Sequence, residues 1–179
     1  IIAYREFSIN SDNYITTRPD KPILADVRLA SLSDSSYVAV FADESSLGNQ
    51  IANVIANDIN IQEMLTVVII PGLPSMSGML NIDATYIDQG ENFMVEGVMS
   101  ADRFAYESMN VGNISSRFTY MPQGETRHVI DGTSAYNDLD VLQIDGTYNA
   151  EGEGALDANL SFLDVPMEMF SPFMPDQVV

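Results

Sequence analysis

The sequence contains no cysteine, no tryptophan and only one histidine. The absence of cysteine excludes disulfide bonds, thiol chemistry and zinc sites with Cys ligands. The histidine, His128, is in phase with Ile130 in an alternating segment, which predicts a position in the core or at its rim and not a general base. There is no Gly-x-Ser-x-Gly elbow, no phosphate-binding glycine loop and no Asp-x-Asx-x-Asx-Gly calcium loop. We therefore expect a protein that is not an enzyme and that holds no metal or cofactor.

Paired carboxylates, which a glycosidase would need, occur only as scattered candidates. They are Asp138/Asp140, Glu151/Glu153 and Asp83/Asp88. No aromatic platform for a sugar ring flanks them, and the Glu151-Gly-Glu-Gly154 stretch is typical of a hairpin tip. We do not expect carbohydrate hydrolysis.

Basic residues are scarce. Seven Lys and Arg stand against 26 Asp and Glu, which gives a formal net charge of −19. Recognition of a phosphate backbone requires clustered Arg and Lys, so nucleic acid is not expected as a partner, and an anionic membrane surface would repel the chain. The acidic residues are spread singly, which is typical of a solvated outer face that keeps an apolar protein soluble.

Long hydrophobic runs are also missing. The longest candidate, Met64 to Leu73, is interrupted by Thr66, Pro71 and Gly72 and is shorter than the ~18 residues of a membrane-spanning helix. The sequence begins at Ile1 without a methionine and ends on an apolar pair after a Pro-Asp turn signal. We expect the chain to be a segment cut from a longer, repetitive polypeptide. We also expect residues 1–179 to form a single β-rich unit.

What the sequence does have is period-two alternation of apolar and polar residues, the pattern of half-buried strands. Turn signals separate nine to eleven such segments, and 46% of the residues are hydrophobic. A single continuous sheet with one apolar face is predicted, curled into an elongated groove, and the alternative is a closed β-sandwich or barrel. The residues expected to line the concave side are Leu80, Ile82, Tyr86, Phe93, Val95, Leu142, Ile144, Leu156, Leu160 and Phe162.

Helix is predicted in two places only, Ile61–Ile69 and Val165–Phe170. Asn60 and Glu63 form a capping-box pattern before the first helix, and Asp164 is placed to cap the second. Each of the two helices is preceded by a strand and a capping residue and is followed by prolines. This recurrence indicates two repeats, about 1–74 and 75–179. Ten methionines suit either ordinary core packing or a surface that accommodates variable apolar shapes.

The two segments that carry these caps and prolines, Ile59 to Gly78 and Phe162 to Asp176, resemble the C-terminal region of the TamB family (translocation and assembly module subunit) in its Bacteroidetes-like form. The most specific element is Pro172-Phe-Met-Pro-Asp176, before a new strand. The resemblance covers residues 37–179, and TamB is similar in turn to AsmA-like and bridge-like lipid-transfer proteins.

The resemblance implies a long sheet curled into a U-shaped apolar groove. It also implies a periplasmic segment of an envelope protein that is anchored in the inner membrane. Phospholipid acyl chains and a BamA-family outer-membrane protein are the implied partners, and the implied roles are phospholipid transport and outer-membrane protein assembly. The family offers no catalytic motif. From the strand pattern alone, a structural or adhesin-like module that binds proteins at its sheet edges remains the alternative.

Overall fold

A computed structural model describes residues 6–67, 74–90, 92–107, 109–151, 154–167 and 169–170. Most of the described residues lie in β-strands and one short α-helix is present, so the all-β class that the alternation predicts is confirmed. In chain order the elements are β1 (Phe7–Ile9), β2 (Tyr14–Thr16), β3 (Leu24–Ser31), β4 (Tyr37–Glu44), β5 (Gln50–Asn60), α1 (Ile61–Val67), β6 (Met76–Asp88), β7 (Phe93–Tyr106), β8 (Met109–Gln123), β9 (Arg127–Tyr136), β10 (Leu139–Asn149) and β11 (Ala155–Phe162).

All eleven strands belong to one antiparallel sheet. Each strand from β3 to β10 pairs with the next in the chain, and β1 and β2 both pair with β3 at one edge. The other edge is β11, whose described pairing is with β10 alone. The prediction of a single open sheet is confirmed. The alternative of a closed sandwich or barrel is wrong, because a sandwich needs two packed sheets and a barrel needs its edge strands to pair.

Short turns explain why the chain meanders in this way. The β9–β10 hairpin has a two-residue loop in which Asn137 and Asp138 adopt φ values of 45° and 69°. Two consecutive left-handed residues define a type I′ turn, whose twist matches that of the flanking strands. Asn and Asp tolerate this conformation better than most residues because their short side chains hydrogen-bond locally.

The sheet is curled, and glycines allow two pairs of neighbouring strands to approach each other closely on one face. A Cβ atom added to Gly97 would lie 3.0 Å from the Cβ of Ala84 on the neighbouring strand, and one added to Gly146 would lie 3.1 Å from the Cβ of Ala158. Opposed Cβ atoms in ordinary antiparallel pairs are about 4.5–5.5 Å apart. The strands therefore converge on this face more closely than two side chains allow.

Helix α1 begins where the sequence predicts. The amide of Glu63 donates to Oδ1 of Asn60 at 3.2 Å, which is one half of the expected capping box. The helix extends to Val67, and the last two residues of the predicted span, 68 and 69, lie outside the described residues. Ile61 is buried at the start of the helix, which packs mainly on β6 and β5.

Within the second predicted helix, Val165–Phe170, the described residues form a 3-10 turn and no α-helix. The amide of Met169 donates to the carbonyl of Pro166 at 3.1 Å, an i→i+3 bond. Val165 and Met169 pack on a small core of Val111, Tyr136 and Val141. α1 and this turn thus lie at the same end of the sheet, whereas Pro71 and Pro172, predicted to stop the two helices, lie outside the described residues. The division into repeats stays a prediction.

The cap of α1 allows a test of this local structure. We expect Asn60→Ala to lower the free energy of unfolding by about 1 kcal/mol, since it removes the acceptor for the Glu63 amide. Urea denaturation followed by circular dichroism measures the change. Asn60→Asp keeps an acceptor and serves as the control. Equal loss in both variants would contradict a capping role.

Candidate functional site: an apolar groove

Strand register places all ten predicted lining residues on one face of the sheet. Directly opposed residues of antiparallel strands point to the same face. Between β6 and β7, the opposed pairs that include predicted residues are Leu80–Ala101, Ile82–Met99, Tyr86–Val95 and Asp88–Phe93. Between β10 and β11 they are Leu142–Phe162, Ile144–Leu160 and Tyr148–Leu156.

The intervening strands connect these two groups. Met99 is opposite Ser116, which is opposite Ser134, and Ser134 is opposite Leu142. The same register leads from Gly97 through Phe118 and Gly132 to Ile144. We call this surface the apolar face. Its role in binding a ligand stays a prediction.

The apolar face extends further than the sequence reasoning proposed. Val40 is opposite Val54, and Val54 is opposite Ala84, so β4 and β5 contribute to the same surface. From β3 to β11 the face crosses nine strands, a distance of about 40 Å at the ~4.8 Å spacing of neighbouring strands. The sequence pattern that indicates this extension lies in residues 23–58. There β-branched residues and alanine alternate with polar residues, but less regularly than in the later strands.

Much of this face is open to solvent. The exposed fractions of Leu156, Leu160 and Phe162 are 69%, 55% and 64%, and Val54 and Met99 are each 41% exposed. Contiguous exposed apolar surface is rare on soluble proteins and marks places where a lipid, a ligand or a protein binds. Among the described residues, only α1 and the C-terminal 3-10 turn cover part of the face, at one end.

The opposite face is mainly polar. One row of opposed residues runs through Thr85, Glu96, Thr119, Asp131, Asp145 and Asn159. Arg117, Asp131 and Asp145 contribute to an open depression of about 420 Å³ on the strands. Within the described ranges no group of three or more potential metal ligands comes together. Asp138 and Asp140 lie at the β9–β10 turn, away from this row.

An aromatic ladder borders the apolar face at the end opposite α1. It consists of Tyr86, Phe93, Tyr120, His128 and Tyr148, one ring from each strand from β6 to β10. Successive ring centroids are 5.2, 5.9, 5.8 and 5.9 Å apart, and the Tyr120 and His128 rings are stacked. Three of these residues, Tyr86, Phe93 and His128, are named above from the sequence, but the ladder itself is not predicted there. The available signal was an aromatic residue close to the hairpin end of each alternating strand.

His128 lies in the ladder on the same face as Ile130, as its phase predicts. Its Nδ1 atom is 2.7 Å from the hydroxyl oxygen of Tyr120, a hydrogen-bond distance. The ring is half-buried between Tyr120 and Tyr148. The histidine therefore belongs to the border of the groove.

A cavity of about 300 Å³ lies under α1 at the other end of the face. Nine of its ten lining residues are apolar. The helix contributes Ile61, Met64 and Leu65, and the sheet contributes Met76, Leu80, Met99, Ala101, Phe104, Ile114 and the one polar residue, Ser116. Met99 is partly exposed and lies on the apolar face, so the cavity is continuous with the groove.

Comparison of the chain with protein-family models, with curated proteins and with solved structures finds no match. Within the described parts of the chain, no helix has the length and apolar character needed to cross a membrane.

Proposed function

We propose that this chain is a non-enzymatic segment of a cell-envelope protein, whose apolar groove shields phospholipid acyl chains as they move between inner and outer membranes. The observation that carries the proposal is the apolar face itself, which crosses nine strands, carries exposed side chains such as Leu156, Leu160 and Phe162, and is opposed by a mainly polar face. The resemblance of residues 37–179 to the TamB family supports the same function. It further suggests a periplasmic location, a role in outer-membrane protein assembly and a BamA-family partner.

The energetics favour such a groove. Burying one methylene is worth about 0.8 kcal/mol, so an acyl chain that leaves a bilayer needs continuous apolar contact to avoid a large penalty. The polar face and the net charge of −19 keep the conduit itself soluble. Because much of the groove is open to solvent, a lipid headgroup can remain in water while its chain is covered.

The proposal predicts that the protein binds lipid when purified. We expect native mass spectrometry, after expression in a bacterium with two membranes, to detect phospholipid bound to the folded chain. Solvent extraction and lipid analysis identify the class. The comparison variant is Ile144→Asp, which places a charge in the middle of the groove. We expect this variant to lose the bound lipid. Wild-type protein that remains lipid-free after incubation with phospholipid vesicles would contradict the proposal.

A second candidate function is protein binding by strand addition at β11. All eight residues of this strand are exposed, and it contains no lysine, proline or bulge of the kind that protects natural sheet edges. Added strands gain main-chain hydrogen bonds at such an edge. The same mass spectra distinguish the two functions, because edge-paired oligomers without lipid favour strand addition.

A further inference from the structure

The groove has two chemically different ends along the strand direction. At one end α1 covers an apolar cavity, and at the other the aromatic ladder meets the hairpin turns. Leu80 lines the cavity and Tyr86 belongs to the ladder, and both lie on β6. They are six positions apart on the strand, which is about 20 Å at the ~3.3 Å rise of a β-strand.

That distance suits one acyl chain. The hydrocarbon core of a bilayer is about 30 Å thick, so a chain in one leaflet spans about 15 Å. A chain lying parallel to the strands would reach from the ladder to the space under α1. A chain lying perpendicular to the strands would instead leave the cavity empty, and the apolar walls of the cavity would then lack packing partners.

The cavity is suited to the methyl end of the chain. Its walls include Met64, Met76 and Met99, whose unbranched and polarisable side chains adapt to variable apolar shapes. α1 packs mainly on β6 and β5, whereas the cavity extends beneath the helix towards β7 and β8. The helix thus forms a roof over the cavity.

The ladder end is suited to an ammonium-bearing headgroup. Aromatic ring faces attract cations. The adjoining hairpin turns carry the exposed acidic residues Glu125 and Glu151, and the whole chain has a charge of −19. An anionic headgroup would meet repulsion here, whereas a zwitterionic one presents its ammonium group to the rings and carboxylates.

Building on the function proposed above, we propose that the groove binds one acyl chain of an ammonium-bearing amphiphile parallel to the strands. Its methyl end lies under α1 and its headgroup lies at the aromatic ladder. The site gives the ligand a fixed orientation. It also predicts a preference for zwitterionic over anionic lipids.

Photo-crosslinking of the whole chain tests the orientation. The probe is palmitoyl lysophosphatidylcholine with a diazirine at the methyl end, used below its micelle concentration. We expect mass spectrometry to map the label to cavity residues such as Met64, Met76 and Met99. Label spread evenly over the face, or concentrated at Phe118 and Leu160, would overturn the orientation. The mapping requires no variant and so does not depend on how a substitution affects folding.

Substitution of a small wall residue provides a second measurement. Ala101→Phe fills the cavity, and we expect it to weaken binding of the probe about tenfold or more. The matched control is Val98→Phe on the same strand, β7, which places the same ring on the polar face, where Val98 is 46% exposed and opposite Asp83, and should change the affinity less than about twofold. Equal effects from the two variants would overturn the assignment of the cavity.

The outcomes separate this inference from the function on which it rests. A probe that binds the groove without labelling the cavity refutes the orientation and leaves the conduit intact. A probe that binds nowhere on the chain refutes both. Equal affinity for palmitoyl lysophosphatidylglycerol, which is anionic, refutes the role given to the ladder end.

Discussion

Leu160→Asp is expected to abolish lipid transfer by the protein while the chain remains folded. Leu160 is 55% exposed on the edge strand and faces the groove opposite Ile144, so the carboxylate stays hydrated in the lipid-free protein. An acyl chain passing over it would strip away that water, at a cost of several kcal/mol. Transfer of a fluorescent phospholipid between donor and acceptor vesicles measures the loss.

The neighbouring position provides the control. Asn159 lies on the same strand but points to the polar face, opposite Asp145. Asn159→Asp adds the same charge to the same strand, and we expect transfer to continue at close to the wild-type rate. Circular dichroism and thermal unfolding check that both variants fold. A folded Leu160→Asp variant that transfers lipid at the full rate would refute the conduit, and complete unfolding of that variant would contradict the exposed position of Leu160 on an open sheet.

The course of the strands could be predicted because it depends on local patterns. Alternation from Leu156 to Phe162 gives β11 and its two faces, and turn residues such as Asn137 and Asp138 give the hairpins. Asn60 gives the start of α1. The choice between an open groove and a closed sandwich could not be made in this way, because alternation says which residues avoid water but not what covers them.

The site was predictable only in part for the same physical reason. The shared face of Leu80 and Phe162, which are far apart in sequence, follows from period two together with regular pairing of each strand with the next. The aromatic ladder and the cavity depend on register and on the placement of α1. These are set by tertiary packing, which no window of the sequence contains.

Gly97→Val is expected to lower the free energy of unfolding by overpacking the apolar face where β6 and β7 approach closely. A Cβ atom at this position would lie 2.8 Å from the carbonyl oxygen of Asp83 and 3.0 Å from both Cα and Cβ of Ala84. These contacts involve backbone atoms and a methyl group that cannot rotate away, so the strands must separate or the sheet must flatten. Overpacking of this kind costs about 1–3 kcal/mol, and we expect the upper end of that range in urea denaturation.

The adjacent residue distinguishes curvature from a general effect of valine. Glu96 is exposed on the polar face of the same strand, and Glu96→Val should change the free energy of unfolding by less than about 0.5 kcal/mol, since valine favours strands. If Gly97→Val were equally silent, close approach of β6 and β7 could not be the source of the curl. If instead Gly97→Val folds with lower stability and also loses bound lipid, the curvature at this glycine contributes both to stability and to binding. A flatter sheet exposes the acyl chain to water on both sides, so lipid loss should accompany the loss of stability in this variant but not in Glu96→Val.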